Sequence, residues 1–210
     1  MKKHLIKFLA AAIIMSFSMT TLSAQSTQVP QNIQRRVQEK VAQMNDYISL
    51  IGSKKRNLDY RQKRIQPCLN LFIGCGNAYT EYISETRTTQ RDGVKMQTTS
   101  TRRKNAKPTE QLMRNYLPRL ANLNYTDVQI TSTSFNEIKV SNLKRISDNE
   151  WQCTAYYEQV FKGYKDGRPV YGDKTNKHIV CHVFLEETDE GSEFVIRLGD
   201  VEATDTEVIR

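Results

Sequence analysis

The side chains with the most chemical potential are two histidines, four cysteines and one aspartate, and five of these seven lie between residues 153 and 200. His178 and His182 are four residues apart in a segment where apolar and polar residues alternate. On an extended strand they point the same way, together with Val180 and Phe184. Tyr156 or Glu158 on a neighbouring strand would lie across from them. A histidine pair beside a carboxylate is how a metal site or an acid–base pair begins. The spacing supplies no third ligand, so the plain expectation is two half-exposed histidines on the outer face of a sheet. Asp200 stands near the end of the strand-like run Phe194–Val201 and reads as a turn-closing residue rather than a base. No catalytic residue, metal or cofactor is assigned from these residues.

Cys68, Cys75, Cys153 and Cys181 have no Cys-x-x-Cys or Cys/His spacing of the kind that holds zinc. Two of them are placed by a turn. Asp166-Gly167 separates two alternating runs, with Trp151, Cys153, Ala155 and Tyr157 on one apolar face and Ile179, Cys181, Val183 and Leu185 on the other. A hairpin symmetric about Gly167 sets Cys153 opposite Cys181. Opposed residues on antiparallel strands lie about 4.5–5.5 Å apart at Cα, within disulfide reach. A Cys153–Cys181 disulfide is therefore expected, with buried neighbouring thiols as the alternative, and Cys68 and Cys75 are candidates for a second, small loop.

The elements that must position these residues follow from periodicity. Ile33, Val37, Val41, Met44, Ile48 and Ile51 draw one apolar stripe on a helix that follows Pro30 and stops at Gly52. Ser53 is a candidate cap for a second helix through Leu58, Ile65 and Leu69. The knot Leu69–Gly76 reads as a bend in core contact, without the Gly-Lys-Ser/Thr of a phosphate loop. Val94–Thr101 reads as a strand, and Pro108 as the start of a helix through Leu112, Met113, Tyr116, Leu117 and Leu120, broken near its end by Pro118. From Tyr125 onward the period becomes two, giving strands Thr126–Phe135, Glu137–Arg145, Glu150–Tyr164, Val170–Glu186 and Phe194–Val201. Helices first and hairpin-linked strands after predict an α+β chain. The helical part covers about 31–70 and the sheet part about 94–205.

The beginning of the chain reads as an export signal. Lys2, Lys3 and Lys7 precede an uncharged stretch from Phe8 to Met19, and Leu22-Ser23-Ala24 offers a cleavage site that leaves Gln25 as the new terminus. The apolar core is shorter than the roughly 20 residues of a spanning helix. Residues 25–210 are thus expected as a single exported domain, periplasmic or extracellular, with no membrane span. Removing three lysines lowers the formal charge from +8 to +5. The remaining basic runs, Lys54–Arg64 and Arg102–Lys107, read as solvated faces rather than nucleic-acid contacts.

Helical region, strand, helix and long antiparallel strands, in that order, resemble the nuclear-transport-factor-two-like, or cystatin-like, superfamily. The strings Tyr157–Tyr164, Asp173-Lys174-Thr175 and Phe194–Asp200 are similar to those of its small exported bacterial members. That resemblance implies N-terminal helices packed on a curved, mostly antiparallel sheet: a cone with a pocket. Its members include dehydratases, isomerases and non-enzymatic binding modules, and none of their site roles transfers to a position here. The leading expectation is a non-catalytic protein that takes a small ligand or an envelope protein on the concave face of the sheet. The alternatives are a lyase or isomerase with a pocket acid or histidine, and an assembly subunit or homodimer.

Overall fold

A computed structural model describes residues 31–99, 108–189 and 191–209. The predicted signal with its Ala24/Gln25 cleavage point, and the basic run at 102–107, lie outside the described residues. Helix α1 (Gln31–Gly52) carries the predicted stripe, and all six of its residues are at most 1% exposed. Two short helices follow, α2 (Leu58–Gln62) and α3 (Ile65–Leu69). The cap of α2 is Asn57, whose Oδ1 accepts the Tyr60 N–H at 2.8 Å, and not Ser53, which lies too far upstream of the first turn. The knot then bends through Gly74 and Cys75, both at positive φ, and buries Phe72 completely.

The strands are β1 (Tyr79–Ser84), β2 (Arg87–Arg91), β3 (Lys95–Thr98), β4 (Thr109–Leu112), β5 (Asp127–Ser132), β6 (Lys139–Val140), β7 (Lys144–Ser147), β8 (Glu150–Lys165), β9 (Arg168–Thr188) and β10 (Gly191–Val208). A fourth helix, α4 (Met113–Ala121), follows β4. Strands β1 and β2 form a separate hairpin. The others make one sheet in the order β4-β3-β10-β9-β8-β5, with β6 and β7 also pairing with β8. Every neighbour is antiparallel except β10 and β3. This is the expected α+β architecture, helices on one face of a mostly antiparallel sheet, and it is consistent with a cystatin-like cone. The helix expected from Pro108 begins later, because Thr109–Leu112 pairs with β3 as a strand. No described helix is long and apolar enough to cross a membrane.

Cys153 does face Cys181, for a reason beyond the turn. Asp166 and Gly167 both have positive φ, the geometry of a two-residue hairpin turn. That turn alone would set Cys153 against Val180. An irregularity beside it, where Tyr164 pairs with Pro169 but Gly163 with Tyr171, leaves Val170 unpaired and advances the register by one residue. All four cysteines are free thiols. Burial pushes the Cys68 thiol up to about 12, and Cys75 sits half-exposed on the bend. The small loop expected between them is therefore not closed here.

Helix α1 spans the inner face. At its start Arg36 reaches Glu193 of β10 at 3.4 Å, and Gln38 Nε2 donates to Ile138 O at 2.8 Å. At its end Gly52 comes so close to Ile130, Val128 and Leu120 that a Cβ there would lie 2.8 Å from Ile130 Cδ1. The first basic run is not a purely solvated face. Arg61 is 7% exposed, and its guanidinium, with Lys54 Nζ, donates to the Ala121 carbonyl at the C-terminus of α4. Because Ile48 is fully buried in this layer, Ile48→Ala is expected to cost about 2–5 kcal/mol. Urea titration should show the lost stability as a lower midpoint at unchanged slope.

Candidate functional site

The inward faces of β8 and β9 are paired rung by rung: Trp151 with Val183, Cys153 with Cys181, Ala155 with Ile179, Tyr157 with Lys177, Gln159 with Thr175, and Phe161 with Asp173. The first three rungs are apolar and belong to the core. The last three carry polar groups on the same face, although Gln159, Thr175 and Lys177 are each at most 7% exposed. They floor a cleft of about 470 Å³, walled by Tyr116, Arg119 and Leu120 of α4, Thr109 and Gln111 of β4, and Leu123 and Tyr125. Tyr125 packs edge-on to Phe161 at 5.9 Å, and Phe161 lies 5.8 Å from the Tyr171 ring. Gly163 admits the Tyr125 ring, since a Cβ there would fall 2.6 Å from Tyr125 Cε1.

Three groups on these rungs lack the partners that burial demands, and two of them, on Gln159 and Lys177, line the cleft. Gln159 Nε2 and the Tyr157 hydroxyl have no hydrogen-bond partner among the described residues. The Lys177 ammonium touches the Met96 sulfur at 3.5 Å, and none of the ion pairs among the described residues includes it. A cation in that position is costly unless paired. Burial accordingly pulls Lys177 down to about 8, only partly opposed by the Asp173 charge. The Asp173 carboxyl is pushed up by burial, against the hydrogen bonds of Tyr171 and Thr175. Thr175 Oγ1 donates to Asp173 Oδ1 at 3.2 Å. The tyrosine hydroxyls of Tyr116 and Tyr157 are both raised by burial and stay protonated at neutral pH.

The histidines lie on the outer face, as expected, but in unequal settings. His178 sits across from Tyr156, and its Nε2 is 2.9 Å from Glu202 Oε2. His182 is 1% exposed rather than half-exposed, with Nδ1 2.8 Å from Glu150 Oε1 and its ring stacked on Phe184 at 6.0 Å. Glu150, Gln152 and Phe184 enclose the His182 ring, with Gln152 Nε2 3.3 Å from its Nδ1, while Tyr82 and Glu85 of the β1–β2 hairpin line a surface cleft beside Glu150 and Phe184. Gly199 makes room for the imidazole; a Cβ there would be 2.9 Å from His182 Nε2. Asp200 closes no turn. It sits in a bulge of β10, accepts the Lys95 N–H at 2.8 Å and pairs with Arg91 of β2, tying the hairpin down. Among the described residues no group of three or more His, Cys, Asp or Glu is arranged to hold a metal ion.

The structure thus brings together Lys177, Asp173, Gln159 and Tyr116, none of which the sequence marked as a site residue. Extending the alternation Val183, Cys181, Ile179 by three further steps reaches Lys177, Thr175 and Asp173, and that was the available signal. No family model and no curated protein matches this chain. Among solved structures it is similar to a crystal structure named "Putative Scytalone Dehydratase", from Novosphingobium aromaticivorans, at 9% identity. The match covers 85% of this chain and 89% of that one, with a TM-score of 0.41.

A lysine lowered on folding binds fewer protons folded than unfolded between pH 8 and its ordinary value of 10.5. It therefore destabilises the empty fold below pH 8, and the penalty is released as the pH rises through that window. Lys177→Met is expected to stabilise the empty protein by roughly 3 kcal/mol at pH 7. Denaturant titrations at pH 6–9.5 should show the gain shrinking above pH 8.

Proposed function

We propose that this chain is an exported protein that binds a small organic molecule in the cleft at the end of the inner sheet face. The observation that carries this reading is a cleft of about 470 Å³ whose floor holds a buried amide nitrogen, Gln159 Nε2, with no partner among the described residues. A buried donor left unpaired costs on the order of 1–3 kcal/mol, and a ligand acceptor removes that cost. Pockets that combine apolar and aromatic walls with a few convergent polar groups are the usual form of small-molecule sites. Export is supported by the lysine-flanked apolar segment before Ala24, and a cystatin-like origin by the order of the elements.

One feature favours a second reading, a lyase or isomerase: Lys177 and Asp173 stand on one face of β9 with their acidities drawn towards each other by burial. Groups tuned in that way suit proton transfer to and from a bound substrate. Loss of water, or a proton shift, in a molecule carried by the wild type and spared by Asp173→Asn would establish it.

Native mass spectrometry of the mature protein, purified from its own envelope, tests the binding reading. A small-molecule mass is expected on the wild type and absent from Thr175→Phe, which fills the cleft. Identical spectra, both bare, would remove the reading. Export also bears on the cysteines. In an oxidising compartment the opposed Cys153 and Cys181 are expected to join as a disulfide. Non-reducing peptide mapping should then find their two peptides linked, and finding both alkylated as free thiols would refute it.

A further inference from the structure

We propose that the molecule taken by this cleft is a carboxylic acid, its carboxylate seated between the Lys177 ammonium and the Gln159 amide and its apolar body against Phe161 and Leu120. The proposal rests on the ligand-binding reading above and specifies what the ligand must carry.

Three observations converge on that chemistry. First, of the buried groups on these rungs that lack partners among the described residues, the two that line the cleft are both donors. They are an ammonium in contact with the Met96 sulfur at 3.5 Å and an amide nitrogen, while the third group, the Tyr157 hydroxyl, does not line the cleft. Neighbouring rungs of the β8–β9 ladder hold them, Lys177 opposite Tyr157 and Gln159 opposite Thr175. Lys177 and Gln159 are thus diagonal neighbours on adjacent strands, about 7–8 Å apart at the backbone, a span from which a lysine and a glutamine side chain can converge on one carboxylate. Second, Lys177 is 5% exposed and no acid within the described residues forms an ion pair with it. Buried charges in proteins are ordinarily paired, so the missing anion is supplied from outside. Third, a second cation, Arg119, stands on the cleft wall, with its guanidinium turned to Gln111 Oε1 at 2.9 Å. It adds to the positive potential that draws an anion in.

The alternative partner inside the protein, Asp173, is engaged elsewhere. Two rungs out from Lys177, it accepts hydrogen bonds from Thr175 and Tyr171, its neighbours on either side along that face of β9. From there it meets the distal end of a ligand, where an acid bearing a hydroxyl or amino group would donate to it. The groups facing Lys177 are thus Asp173 on its own strand, Tyr157 on β8, and Tyr116 and Arg119 on α4; Met96 of β3 and Ala203 of β10 carry no charge. Both tyrosines stay neutral across the working range, so the lysine sets the pH dependence on the alkaline side.

Saturation-transfer NMR on the mature protein tests this with a panel of small aromatic and aliphatic carboxylic acids, each paired with its neutral primary amide. Acids are expected to bind at least tenfold more tightly than their amides. Their affinity should be flat from pH 6.5 to 7.5 and fall towards tenfold per unit above about pH 8, as free Lys177 loses its proton. Lys177→Met, expected to fold at least as stably as the wild type, should lose acid binding and leave amide binding unchanged. Gln159→Leu should weaken acids less than Lys177→Met does. Amides binding as well as acids, or acids binding Lys177→Met as tightly as the wild type, would overturn the carboxylate proposal while leaving the cleft a binding site. Failure of every acid and every amide would overturn both readings.

Discussion

A single helix cannot cover the inner face of a sheet whose strands are this long. Strand β9 has 21 residues and helix α1 has 22. At about 3.3 Å per strand residue and 1.5 Å per helix residue, the strand is roughly twice as long as the helix. Along the covered part the inward positions are Cys181, Val183 and Ile179, and they are dry. Beyond it the same alternation continues along the floor of the cleft, and the inward residues become Lys177, Thr175 and Asp173. Helix α1 ends over β5, where Gly52 packs on Val128 and Ile130, and the cleft opens beside that end over β8 and β9. Short α4 stands at its side and leaves it open.

The face each residue presents depends on one unpaired position. With a side-chain period of two, a one-residue slip turns every inward residue outward. Val170 supplies the extra residue that lets a two-residue turn deliver Cys153 opposite Cys181, Gln159 opposite Thr175 and Tyr157 opposite Lys177. Both the core rungs and the cleft floor hang on that bulge. Its side chain is 47% exposed, so it works through backbone count and not through packing.

The outer face shows the same sheet solving a different problem. His182 and Glu150 are polar yet buried, and each satisfies the other at 2.8 Å beneath the Phe184 ring stacked on the imidazole. Arg91 and Asp200 fasten that hairpin to β10. Their polarity is spent inside the protein. On the inner floor the polar groups are equally buried but not spent, and that contrast separates a structural polar cluster from a candidate site. The basic segment after α1 belongs with the first kind, since Arg61 and Lys54 both serve the last carbonyl of α4.

Much of the frame was legible in the residues themselves. The stripe from Ile33 to Ile51 sets α1, Asp166-Gly167 sets the hairpin, and the change of period at Tyr125 sets the α+β order. These are local signals, each written within one helix or one hairpin. Thr109–Leu112 misled because its helical spacing lost to pairing with β3, a contact that no local pattern encodes. His182 misled because its partners, Glu150 and Gln152, come from the neighbouring strand β8, and a glycine of β10, Gly199, makes room for its ring. The cleft was hidden for a similar reason. Alternation alone places Lys177 and Asp173 on the inward face, but it cannot say where the covering helix ends. The sequence by itself determined which residues share a face. Only the tertiary structure decided which part of that face is sealed and which is left open, because that depends on the relative lengths and crossing of elements far apart in the chain.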